Sequence, residues 1–274
     1  MCACRGTAGF AHVSCLAEQA KILMDEAEEN NLSDKVQSER WNRWYKCSLC
    51  EQEYHGVVRC ALGWACWKTY VGRPEVDVAR QVAMTLLGTG LGEAGHHEDA
   101  LTVREAELSM LRRLGADEIT LLVAQNNIAC TYSLVGRLEE ALHMRRDIYF
   151  KRLKLLGEED SLTLNAANNY GLAFLNLQRF EEAKPPLRKM LPVARRVLGE
   201  NDEITLRMRW YSAAALYHAD GATLGDLREA VTTLEETERI ARRVFGGAHP
   251  LTVDIERQLR DARAALRARE ATSK

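Results

Sequence analysis

Asn126-Asn127-Ile128-Ala129-Cys130-Thr131-Tyr132, followed by Gly136-Arg137-Leu138-Glu139-Glu140-Ala141, is the stretch that decides the fold. Its parts recur at one fixed step of 42 residues. Asn126-Asn127 returns as Asn168-Asn169, and Gly136 to Ala141 returns as Gln178-Arg179-Phe180-Glu181-Glu182-Ala183. Leu114-Gly115 returns as Leu156-Gly157 and again as Leu198-Gly199. Three independent markers with one period are the signature of stacked structural repeats.

Outward from this core the pattern loosens. Ala183 maps to Ala230 and Leu198 to Phe245 at a step of 47, with the extra residues near Asp220-Gly221-Ala222-Thr223. Ahead of Leu114-Gly115, His97-Glu98-Asp99-Ala100 opens a looser unit. Leu121, Ala124, Ile128, Tyr132 and Val135 follow helical spacing, so each unit reads as two amphipathic helices joined by a tight turn. Ala129, Ala141, Ala173 and Ala183 mark close helix approaches, and Gly115, Gly157 and Gly199 suit helix C-termini. The segment from Leu251 to Arg269 reads as a cap, while Pro185, Pro186 and Pro192 are expected to kink one second helix.

These markers resemble the tetratricopeptide repeat (TPR) in its kinesin-light-chain-like form, over about residues 78–268. The resemblance implies an all-α TPR superhelix whose first helices line a groove for an extended client peptide. It assigns peptide contact to Asn126, Asn127, Asn168 and Asn169, with Tyr211 next along the groove. A use of the Asn side chains within the scaffold is the alternative. Arg145, Arg146 and Arg188 read as a solvated face, with selection of acidic peptides the rival reading.

The front of the chain has a different composition. Of the eight cysteines, seven lie at or before Cys66, a distribution that suits a reduced compartment with a metal site better than a disulfide scaffold. Cys2-x-Cys4, His12-x2-Cys15 and Cys47-x2-Cys50 form an ordered series of hooks, each giving two ligands from one turn, and zinc takes four such ligands. Cys2-Ala-Cys4-Arg5-Gly6-Thr7, His12-Val13-Ser14-Cys15-Leu16 and Trp44-Tyr45-Lys46-Cys47-Ser48-Leu49-Cys50 resemble the RING-CH zinc finger over residues 2–54. That resemblance implies one complete site of Cys2, Cys4, Cys47 and Cys50. His12 and Cys15 would belong to a second, whose other Cys pair would lie upstream of Met1; a longer product and a degenerate finger are both open. It also implies a ubiquitin-conjugating enzyme as partner and a role in ubiquitin transfer. The expected layout is therefore a small zinc-binding module over residues 1–75 and repeats over residues 76–274, divided near Gly72-Arg73-Pro74.

A net charge of −2 gives no field to favour nucleic acid or an anionic membrane. The longest apolar candidate, Val57 to Trp67, is too short to span a bilayer and carries Arg59, while Arg5 and His12 interrupt any signal-peptide core. No membrane role and a cytoplasmic location are expected. No catalytic set converges. Gly88-Thr89-Gly90-Leu91-Gly92 lacks the strand and Lys-Ser/Thr of a phosphate loop and reads as close packing, His96-His97 as a solvated turn, and Cys130 as a packed thiol. The expectation is an interaction adaptor for client peptides. A ubiquitin ligase whose repeats choose substrates comes second, and a kinesin-light-chain-like cargo adaptor third.

Overall fold

The computed structural model describes residues 12–272, and among these it is built from α-helices with one isolated antiparallel bridge, Lys46 to Glu53. In chain order they are α1 (Val13–Glu29), α2 (Asp34–Trp41), a 3-10 turn (Asn42–Trp44), α3 (Gly56–Tyr70), α4 (Val78–Glu93), α5 (His97–Arg113) and α6 (Glu118–Leu134). Then follow α7 (Leu138–Leu156), α8 (Ser161–Asn176), α9 (Phe180–Val197), α10 (Glu203–Tyr217), α11 (Leu224–Phe245) and α12 (Pro250–Thr272). The chain divides into two compact units, Met1–Arg137 and Leu138–Lys274. The division falls after Arg137, inside the sequence repeat that carries the Asn pair of α6.

The repeat markers sit at the helix ends. Gly115, Gly157 and Gly199 all take left-handed backbone (φ +69°, +85° and +91°) just past a second helix, which a residue without Cβ does at least cost. First helices share a signal at their other end. Asp77, Asp117, Asp160 and Asp202 precede α4, α6, α8 and α10, and each carboxylate accepts from a first-turn N–H, Leu162 N to Asp160 at 2.8 Å being one example. Each cap satisfies N–H groups that the helix leaves without partners.

In the first unit the turn at Gly72-Arg73-Pro74 joins two helices packed directly on each other. A Cβ on Gly90 of α4 would stand 2.8 Å from Arg59 O and Cys60 Cα of α3, and one on Gly63 would stand 3.0 Å from Leu86 O. Gly88 and Gly92, one turn apart on α4, instead face the Arg104 side chain of α5. The glycine run is thus a packing device with two faces. Arg73 ties the same region to α1 through a two-pronged ion pair with Glu28 at 2.9 Å and lies over the Tyr70 ring. Ala20, Trp44, Cys66, Tyr70 and Ala83 form one core there, and burial pushes the Cys66 thiol far above its usual range.

The second unit has two apolar clusters. Leu142, Phe174, Leu187 and Tyr211 fill the space among α7 to α10, and Leu206, Leu234, Ile255 and Leu259 fill that among α10 to α12. The three prolines lie inside one continuous helix, α9, rather than interrupting it. The carbonyls they deprive of a partner belong to Glu181, Glu182 and Arg188, all exposed, so water can serve them. The residues inserted in the fourth unit lengthen the α10–α11 loop, and Thr223 ends it as part of a capping box with Asp226.

Candidate functional site

One position on a second helix, at Arg104 and again at Arg145, bonds to the first helix that follows it. Arg104 of α5 donates Nη1 to the main-chain carbonyl of Asn127 at 3.0 Å and also reaches Thr131 Oγ1. In the second unit Arg145 of α7 donates to the carbonyl of Asn169 at 3.4 Å. One repeat later Leu187 occupies the position, against Gly171 on α8 and in the cluster that holds Tyr211. Arg145 is therefore buried, unlike Arg146 and Arg188, which are exposed as expected for a solvated face. Its stem and head are drawn inward because the neighbouring helix offers a carbonyl for the guanidinium.

The predicted peptide-contact residues divide by depth. Asn126 and Asn127 are half-buried on α6. Asn168 is buried and donates Nδ2 to Asn169 Oδ1 at 3.3 Å, while Asn169 donates onward to Asn165 Oδ1 at 3.2 Å. Tyr211 is only 1 % exposed, with its ring against Trp210 at 5.1 Å between centroids. Desolvation raises its phenol above the usual range, opposed by a hydrogen bond with Arg207.

Beside Tyr211 opens a groove of about 800 Å³ within the second unit. Trp210 and Tyr211 of α10, Arg179 and Phe180 at the start of α9, His218 after α10 and Gln258 of α12 contribute to its walls. The Phe180 and His218 rings stack at 5.0 Å, and Tyr217 donates its hydroxyl to Gln258 Oε1. Trp210 Nε1 is buried and has no hydrogen-bond partner among the described residues. Arg179 is held by Glu182 through two bonds of 2.6 Å and by Glu139 at 3.1 Å. The groove gathers the places where the repeat departs from its pattern: Trp210-Tyr211 in place of an Asn pair, Gln178 in place of a glycine, and the lengthened loop at Ala219 and Asp220. Each departure is visible in the sequence. Their convergence is not.

Of the predicted zinc ligands, Cys2 and Cys4 lie outside the described residues. Cys47 and Cys50 form a tight turn in which Leu49 N points to Cys47 Sγ at 3.4 Å, Cys47 N donates to Gln52 O, and Glu51 takes φ +57° to close the loop. His12 precedes α1 and Cys15 lies exposed in its first turn, with Cys15 N donating to His12 O. Among the described residues no three His, Cys, Asp or Glu side chains gather as a metal site. None of their helices is long and apolar enough to cross a membrane.

A tetratricopeptide-repeat family model matches residues 163–203. The fold is similar to the crystal structure of nearly identical TPR-like repeats, described as those of a kinesin light chain, from Podosopora anserina. The TM-score is 0.54 at 17 % identity, covering 86 % of this chain and 98 % of that one. BtubC (BKLC) from P. vanneervenii matches with a TM-score of 0.54 at 16 % identity, covering 96 % of this chain and 93 % of the other. No curated protein sequence matches. The helical hairpins, their capped first helices and these likenesses together make the fold an all-α, TPR-like helical solenoid.

Proposed function

We propose that the protein is an interaction adaptor that holds a client peptide in the groove bordered by α8, α9, α10 and α12. The observation that carries this is the shape and chemistry of that groove. It is concave, walled in part by the stacked Phe180 and His218 rings, and lined by Trp210, whose buried indole N–H has no hydrogen-bond partner among the described residues. Apolar walls with a few unmet polar groups are what a bound segment needs for area and register. A photo-crosslinking residue at Gln178, on the groove, should trap a discrete partner that the same residue at Lys189, exposed on α9 outside it, does not. Identical products from both positions would refute the reading.

The finer reading of the front of the chain as a RING-CH-like zinc module is also a proposal. The support is the Cys47–Cys50 turn, since N–H groups aimed at sulfur stabilise thiolate and hold two ligands on one side of a hairpin. Zinc there would need Cys2 and Cys4 to complete four ligands and would bring closure energy to a long loop. Metal analysis of purified protein should return zinc that Cys47→Ser/Cys50→Ser loses. Metal content unchanged in that variant would exclude the hook as a ligand pair.

A further inference from the structure

The groove has an electrostatic bias as well as a shape. Three carboxylates, Glu181, Glu182 and Asp220, border it against one guanidinium, Arg179. That guanidinium is already committed to Glu182 and Glu139, and the nearby Lys184 is committed to Glu181 at 2.7 Å. Each of these pairs is neutral as a whole, so the bias of the lining comes from Asp220. Asp220, exposed in the lengthened loop, makes no ion pair among the described residues.

Resting on the adaptor reading above, we propose that the groove selects a peptide segment carrying a cationic side chain, Arg or Lys, next to an apolar one. The cation lies toward Asp220 at the rim, and the apolar side chain enters against Trp210 and Phe180. Glu182 keeps Arg179 out of the way. The residues that break the repeat thus become the residues that set its selectivity.

Fluorescence anisotropy of the full chain with three labelled dodecapeptides tests this. Each peptide holds one tryptophan, flanked by arginines, by glutamates, or by serine and glycine. The arginine peptide should bind about 3–10-fold more tightly than the neutral one, the glutamate peptide more weakly still, and the gap should shrink as salt rises. Asp220→Asn, at an exposed position, should bring the arginine peptide down to the neutral level. Trp210→Phe should weaken the arginine and neutral peptides by a similar factor. Equal binding of all three peptides, or tighter binding of the glutamate peptide, overturns the charge selection while leaving a peptide groove in place. A charge preference unchanged in Asp220→Asn also overturns it. No binding by any of the three overturns both this inference and the groove itself.

Discussion

Arg145 and Asn169 are joined by a hydrogen bond from a buried guanidinium to a main-chain carbonyl, 3.4 Å long, that crosses from a second helix to the next first helix. Arg104 and Asn127 repeat it in the first unit. The Asn pairs therefore mark positions where a helix backbone is gripped from behind, whatever their side chains meet in front. Arg145→Ala should cost about 2–3 kcal/mol in urea-melt stability, from a lost charge-assisted bond and a lost buried stem. Arg146→Ala, on the exposed side of the same helix, should change stability by less than about 0.5 kcal/mol.

Gly90 has backbone of α3 where a Cβ would go. Gly90→Ala should therefore destabilise by about 1–3 kcal/mol, although alanine is the better helix former by about 1 kcal/mol. Gly92→Ala is the control, because its nearest neighbour would be an Arg104 nitrogen at 3.7 Å, which can move. Thermal melts of the two variants in parallel decide the matter.

Gln178 adopts φ +57° at the turn where Gly136 adopts φ +83°. A side chain in left-handed backbone is strained by about 1–2 kcal/mol, partly offset by the greater freedom glycine has when unfolded. Gln178→Gly should raise stability by about 0.5–1 kcal/mol. A lower denaturation midpoint would show that Gln178 makes a compensating contact.

Glu107 is buried on α5, where Thr85 donates to its Oε1 while its Oε2 has no partner among the described residues. Desolvation raises its pKa above the ordinary carboxylate value, with Thr85 and Arg104 opposing. A group raised in the folded state costs stability once pH exceeds its unfolded pKa, and the cost grows until the folded pKa is passed. Glu107→Gln should accordingly gain stability relative to wild type as pH rises from the unfolded pKa to neutrality. Parallel stability-versus-pH curves for wild type and variant would contradict this.

Asp117 behaves in the opposite sense. Hydrogen bonds from Thr120 hold its carboxyl below the ordinary value, so its cap stabilises α6 above the unfolded pKa and fades as pH falls through the folded one. Asp117→Ala should therefore lower the melting temperature at neutral pH. That difference should diminish in acid, as followed by circular dichroism.

How much of this was legible depended on whether chemistry or only position repeats. Leu-Gly and Gly-Arg-x-Glu-Glu-Ala keep both, because a left-handed turn and a close helix approach admit few residues, and the hairpins could be read from them directly. The Asp caps were missed as repeat markers because each is a lone residue, at steps of 43 and 42 between Asp117, Asp160 and Asp202. The Arg104, Arg145, Leu187 series was hidden for a different reason. The position is kept while the residue changes from guanidinium to leucine, and Arg145 alone looks like surface charge. The aromatic groove was invisible because its walls come from α9, α10 and α12, and sequence spacing does not say which departures from a pattern face one another.

The Arg-to-carbonyl bonds, and the cluster that Leu187 and Tyr211 share, carry a consequence for anyone who would recombine these repeats. The complementary surfaces belong to a second helix and the first helix of its successor, so the natural cassette is staggered by one helix from the sequence period. A chimera cut at the Leu-Gly step would deliver Leu187 to an asparagine-bearing neighbour, or Arg145 to a tyrosine-bearing one, and mismatch both. Cut at the Gly-Arg turn, each matched pair travels together, and length or order can change without touching the joint.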